Sequence, residues 1–108
     1  MINLEVKGES YKLKLTTQGV VSVENRTGKN PLEILNANGM PKIGDLLVIL
    51  HEAINTYNHG FKMDKVYELF DSYLEDHQYT DFVILIAKLL QDGGYIPKEA
   101  DLDNLGNA

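Results

Sequence analysis

The sequence predicts an α+β domain, an N-terminal β-hairpin packed on a mainly α-helical body of four or five helices. Three observations carry that expectation. Apolar residues alternate strictly over residues 2–15, they recur at three-four spacing in later stretches, and 108 residues suffice for one hydrophobic core but hardly for two. With 44% apolar and 24% charged residues, the composition is that of a globular chain rather than a disordered one.

In the hairpin, Ile2, Leu4 and Val6 and then Tyr11, Leu13 and Leu15 are apolar, with Asn3, Glu5, Lys12 and Lys14 between them. A two-residue turn at Gly8-Glu9 pairs Val6 with Tyr11, Leu4 with Leu13 and Ile2 with Leu15, so every apolar side chain lies on one face. Gly8 at the first turn position suits a type II′ turn, which requires positive φ there. Helices must cover that face, because an isolated hairpin is marginal in water.

Residues 16–35 carry mixed signals. The run Gly19-Val20-Val21-Ser22-Val23 favours strand by propensity, whereas Val20, Val23 and Glu24 fit a helical face capped by Thr16 or Thr17. The residues alone leave 17–26 open between helix and strand. Gly28 ends that element, and Asn30 caps a short helix over about 31–36 that opens on Pro31. Residues 36–41 read as a loop. Ile43, Leu46, Leu47, Leu50, Ala53, Ile54 and Tyr57 then define one face of a helix over about 42–57, stopped at Gly60. Val66, Leu69, Phe70, Tyr73 and Leu74 define another over about 63–76. The last helix, about 80–92, has almost no polar face, since Phe82, Val83, Ile84, Leu85, Ile86, Ala87, Leu89 and Leu90 nearly fill it. Such a helix is central or lies in an interface. Gly93-Gly94 ends it, so a single domain is expected over 1–94, followed by a flexible acidic tail over 95–108.

Several function classes are disfavoured. The chain has no cysteine, which excludes disulfides, thiolate metal sites and cysteine nucleophiles. Its net charge of −6 falls entirely within residues 61–108, and no window offers the basic footprint that nucleic acid requires. No apolar run approaches the ~20 residues of a membrane span, and residues 1–5 lack the basic start of a secretion signal. A cytoplasmic protein without membrane or nucleic-acid partners is expected.

The motifs that carry chemistry are incomplete. His51-Glu52-Ala53-Ile54-Asn55 begins like the zinc-protease helix, but asparagine stands where the second histidine belongs. His59 and His77 fall at helix ends. Placing Gly93 at the sixth position of a calcium loop leaves only Asp92 and Glu99 matching. Asp71-Ser72-Tyr73-Leu74 departs from the acyl-carrier attachment motif at the tyrosine, and Asn25-Arg26-Thr27 is a glycosylation sequon by spelling only. Glu68, Asp71, Glu75 and Asp76 could pair for acid–base work, although carboxylates along an outer helical face are normally solvated. No enzyme activity, metal or cofactor is therefore expected. The remaining feature is helix 80–92, whose candidate contact surface for a partner or for self-association is Phe82, Ile86 and Leu89, with Val83, Leu85 and Leu90 filling the core behind it.

The order of segments resembles the tail assembly chaperones of long-tailed phages and prophages. The stretch TTQGVVSVENRTGKNPLEIL is similar to their N-terminal signature, with matching positions at Thr16, Thr17, Glu24, Gly28, Asn30, Pro31, Leu32 and Leu35. DLLVILHEAINTYNHGFKMDKVYELFDSYLEDH is similar to their central helix pair, and DFVILIAKLLQDGG to their last helix, so the resemblance covers roughly residues 10–94. It implies a helical protein with a small β element that coats the tape measure protein in the host bacterial cytoplasm and is absent from the mature virion. It also implies homo-oligomers and, through a longer frameshifted product, contact with the tail tube protein. The resemblance turns residues 17–26 toward helix. An alternative of a different class is a small acidic regulator that binds a basic host protein, acting as a nucleic-acid mimic.

Overall fold

The computed structural model describes residues 1–103. Its elements are β1 (Ile2–Val6), β2 (Glu9–Leu13), α1 (Thr17–Thr27), α2 (Pro31–Leu35), α3 (Ile43–Asn55), α4 (Met63–Tyr73) and α5 (Tyr79–Asp92). This is the expected α+β arrangement, one antiparallel hairpin against five helices.

The hairpin register differs from the expected one. Ile2 pairs with Leu13, Leu4 with Tyr11 and Val6 with Glu9, and the turn is Lys7-Gly8. Both turn residues have positive φ, 52° and 81°, which makes it type I′ rather than II′. A type I′ turn matches the right-handed twist of the strands it joins. The shift of two residues leaves the faces unchanged, since side chains alternate with period two. It also frees Leu15 from the ladder. Leu15 is buried beyond the strand end, where the Lys14 N–H donates to the Ala53 carbonyl (3.2 Å) and the Thr56 hydroxyl to the Lys14 carbonyl (2.6 Å). The β2 exit is thereby fastened to α3.

Residues 17–27 are helical despite their valines. The Thr16 hydroxyl accepts from the Gly19 N–H at 3.1 Å, and Gly28 closes the helix in the left-handed conformation, its N–H donating to the Glu24 carbonyl. Val20 and Val23 face the core, so tertiary burial outweighs their modest helix propensity. Gly19 lets α1 approach closely: a Cβ there would lie 3.3 Å from Leu15 Cδ1 and 3.7 Å from Glu52 Cβ. In α2, Pro31 occupies the first turn, Asn30 Oδ1 accepts from the Leu32 N–H, and Glu33 reaches back to the Asn30 N–H.

The hub of the fold is α3, which packs against α1, α2, α4, α5 and β2. Leu46, Ile49, Leu50, Ala53 and Ile54 on it are buried to within 1%. Leu4, Val6 and Leu13 of the hairpin close the core from the other side, with β1 against α4 and α5. Asp92 at the end of α5 accepts from the Met1 ammonium (2.6 Å) and Lys14 (3.3 Å). These partners, the ammonium foremost, hold its carboxyl below the usual carboxylate range.

The segment after α5 also departs from expectation. Residues 95–103 fold back along α5 rather than leaving the body, and Leu102 is only 7% exposed. The remainder of the expected tail, 104–108, lies outside the described residues.

Candidate functional site

Phe82, Ile86 and Leu89 are not on a surface. Phe82 is 1% exposed and the other two are fully buried. The Phe82 ring sits 4.7 Å from Phe70 and 5.8 Å from Tyr73, in an aromatic cluster shared by α4 and α5. The outward positions of α5 are Asp81 and Lys88, with Ile84 and Leu85 half-buried. Val83 and Leu90 are buried as expected, and Leu85 packs against the core while half-buried. A helix that is apolar all round gives no phase from which its outer face can be read. Here α2, α3 and β1 all pack on α5, and the returning chain runs beside it.

What the structure offers instead is a groove of about 810 Å³ beside the first half of α5. One wall is Leu32 and Leu35 of α2 and the loop residues Ala37, Met40 and Pro41; the other is Ile96, Ala100 and Leu102, and Val83 reaches it from α5. Each wall has an anchor. The Asn30–Glu33 capping box sets α2, and the Tyr79 hydroxyl donates to the Pro41 carbonyl, fixing the loop to α5. Gln91 Nε2 donates to the carbonyls of Pro97 (3.0 Å), Lys98 (3.1 Å) and Ala100 (3.1 Å), while Lys98 Nζ caps the carbonyls of Gln91 and Asp92 at the end of α5. Met40 stands at the mouth, 52% exposed, with Ile43 (48%) three residues on. Among the described residues lining the groove, Asp101 is the one titratable group. Such a lining suits apolar side chains, and the volume lies within the ~300–1,000 Å³ typical of ligand sites. Sequence reasoning missed the groove because its lining comes from three separated stretches, 32–41, Val83 and 96–102, and much of it is irregular chain.

The polar motifs have structural partners. His51 Nε2 lies 2.6 Å from the Phe61 carbonyl, to which it donates, and Nδ1 lies 3.0 Å from Arg26 Nη1, from which it accepts. Glu52 accepts from Arg26 (2.7 Å) and Ser22 (2.6 Å). Asn55 exchanges hydrogen bonds with both main-chain groups of Phe61. The network ties α1, α3 and the turn before α4 together. His77 stacks flat on Tyr73 at 4.1 Å, and its Nδ1 donates to the Tyr73 carbonyl at 3.2 Å. Glu75 and Asp76 reach Lys7 at 3.1 and 3.8 Å. Among the described residues, no group of three or more His, Cys, Asp or Glu side chains is placed to hold a metal ion.

Fold and groove define a class: a small α+β domain, hairpin and five helices, that carries an apolar groove between α2 and the chain returning along α5. The chain belongs to the family of unknown function DUF6096, whose model matches residues 3–105, through the segment that folds back on α5. No curated protein and no solved structure matches it. The family carries no assigned activity or partner, so the match establishes kinship alone.

Proposed function

We propose that this protein is a tail assembly chaperone that binds the tape measure protein of a phage or prophage in the host cytoplasm and keeps it soluble while the tail tube is built. The observation that carries this reading is the apolar groove walled by Leu32, Leu35, Met40, Ile96 and Leu102. Tape measure proteins are long and helical, and an amphipathic helix presents apolar anchors at three-four spacing to such a groove. The contact surface is thus moved from Phe82, Ile86 and Leu89 to the groove beside them. The acidic exterior supports the same role, since a net charge of −6 keeps a chaperone–client complex apart from its neighbours. The sequence resemblance supplies the client's identity. Self-association, and recruitment of the tail tube protein by a longer frameshifted product, belong to the same proposal. Among the described residues, no helix is long and apolar enough to cross a membrane.

The test is co-expression with a tape measure protein from the same genome, followed by size-exclusion chromatography with light scattering. A soluble complex that persists in high salt and weakens in Met40→Asp is expected, because apolar contacts are not screened. A tape measure protein no more soluble with the chain than without it would sink the proposal. Capture of a basic protein that dissociates as salt rises would favour the acidic-regulator reading instead.

A further inference from the structure

We infer that residues 96–103 form a displaceable wall of the groove, a strap held against α5 in the free protein that swings outward to admit a client. The inference rests on the groove being the binding surface proposed above and concerns its regulation. Leu102 is buried, yet it stands apart from the contiguous core of hairpin and helices. It and Ile96 are the large apolar side chains of a stretch otherwise made of Pro97, Lys98, Glu99, Ala100, Asp101 and Asp103. The stretch forms no helix or strand, and polar bonds at accessible positions hold it down: the Gln91 amide on three carbonyls, Lys98 on the end of α5, and Lys88 to Asp103 at 3.4 Å. Few buried apolar contacts combined with exposed hydrogen bonds mark a segment that opens well below the cost of global unfolding. Leu102 therefore pins one wall of the groove from within the chain, and releasing it widens the apolar seat offered to a client. The match of the family model through residue 105 places this stretch inside the family's own extent.

The experiment uses the full chain and its Leu102→Asp and Gln91→Ala variants, with amide hydrogen exchange and binding of the dye 1-anilinonaphthalene-8-sulfonate as readouts. The amide of Ala100, bonded to the Pro97 carbonyl at 3.1 Å, reports the strap. Losing the burial of one leucine raises the open fraction roughly 10- to 100-fold. Exchange at Ala100 should accelerate to match in Leu102→Asp, dye fluorescence should rise severalfold, and amides of α3 should keep their rates. Gln91→Ala should move both readouts in the same direction by less, and it carries the test if the aspartate variant loses its fold. Strap exchange and dye binding within twofold of the parent in both variants, or acceleration spread evenly through α3, would overturn the inference. Neither readout needs a client. A strap that opens on cue beside a tape measure protein left insoluble keeps this inference and discards the chaperone reading, and the opposite pair of results does the reverse.

Discussion

Truncating Phe82 to alanine separates a core role for α5 from a surface one. The side chain is 1% exposed, and its ring lies within 6 Å of both Phe70 and Tyr73. Removing a buried phenylalanine forfeits its transfer free energy and leaves a cavity that rigid neighbours only partly fill, for a loss of about 3–5 kcal/mol. Both aromatic partners stand on α4, across the packing interface from Phe82 on α5, and Phe70 and Tyr73 are themselves buried, which limits relaxation and places the expectation in the upper part of that range. A domain of this size is stable by about 5–15 kcal/mol, so a third or more of the total would disappear. Urea unfolding followed by circular dichroism should show the midpoint falling with the m-value unchanged. The melting temperature should drop by about 10–30 °C. Leu85→Ala, on the half-buried side of the same helix, should cost clearly less. A Phe82→Ala variant that loses under about 1 kcal/mol while failing to bind its partner would refute the packing described here and restore Phe82 to an outer surface.

Two further substitutions probe other elements. Gly19→Ala sets a helix-propensity gain of about 1 kcal/mol against a Cβ placed 3.3 Å from Leu15 Cδ1 and 3.4 Å from Thr16 Oγ1. Leu15 is itself 1% exposed and has little room to yield, so overpacking at ~1–3 kcal/mol should win, and calorimetry should show a lower melting temperature than the parent. Burial, and then the Asp81 carboxylate, push the Tyr73 phenol from its ordinary 10.0 up to about 12, so the folded state holds that proton more tightly than the unfolded chain. Its contribution is complete below pH 10 and is lost as pH rises toward 12; unfolding curves across that window should flatten in Tyr73→Phe, and an unchanged alkaline slope would count against the burial of that hydroxyl.

Local chemistry was readable from the residues where one group decides the outcome. Thr16, Gly28, Asn30 and Pro31 each mark a helix end, and each stands at its mark. The hairpin's faces were readable because alternation fixes them, but its register was not, since turns at Gly8-Glu9 and at Lys7-Gly8 preserve the same apolar face. Choosing between them requires seeing that Leu15 is wanted by α3 rather than by β1, a tertiary demand. The α5 assignment failed for a related reason. With nearly every position apolar, burial depends on which neighbours arrive, and the polar composition of residues 95–103 hides that they are among those neighbours. Lys98, Glu99, Asp101 and Asp103 dominate that composition, yet one leucine, Leu102, and the Gln91 side chain decide where the segment lies.

The placement of β1 against α4 and α5 has a consequence for biosynthesis. The first strand to leave the ribosome waits for the last helix, so Leu4 and Val6 have no finished seat until residue 92 has cleared the exit tunnel. Chain closure over so long a stretch costs only logarithmically more than over a short one, but it cannot begin early. Nascent chains arrested before α5 should therefore remain open to protease, with α1 and α3 at most partly paired, and the domain should become resistant in one step once α5 has emerged rather than in stages. Under the chaperone reading proposed above, this timing withholds the finished groove from any client until residues 96–102 have emerged.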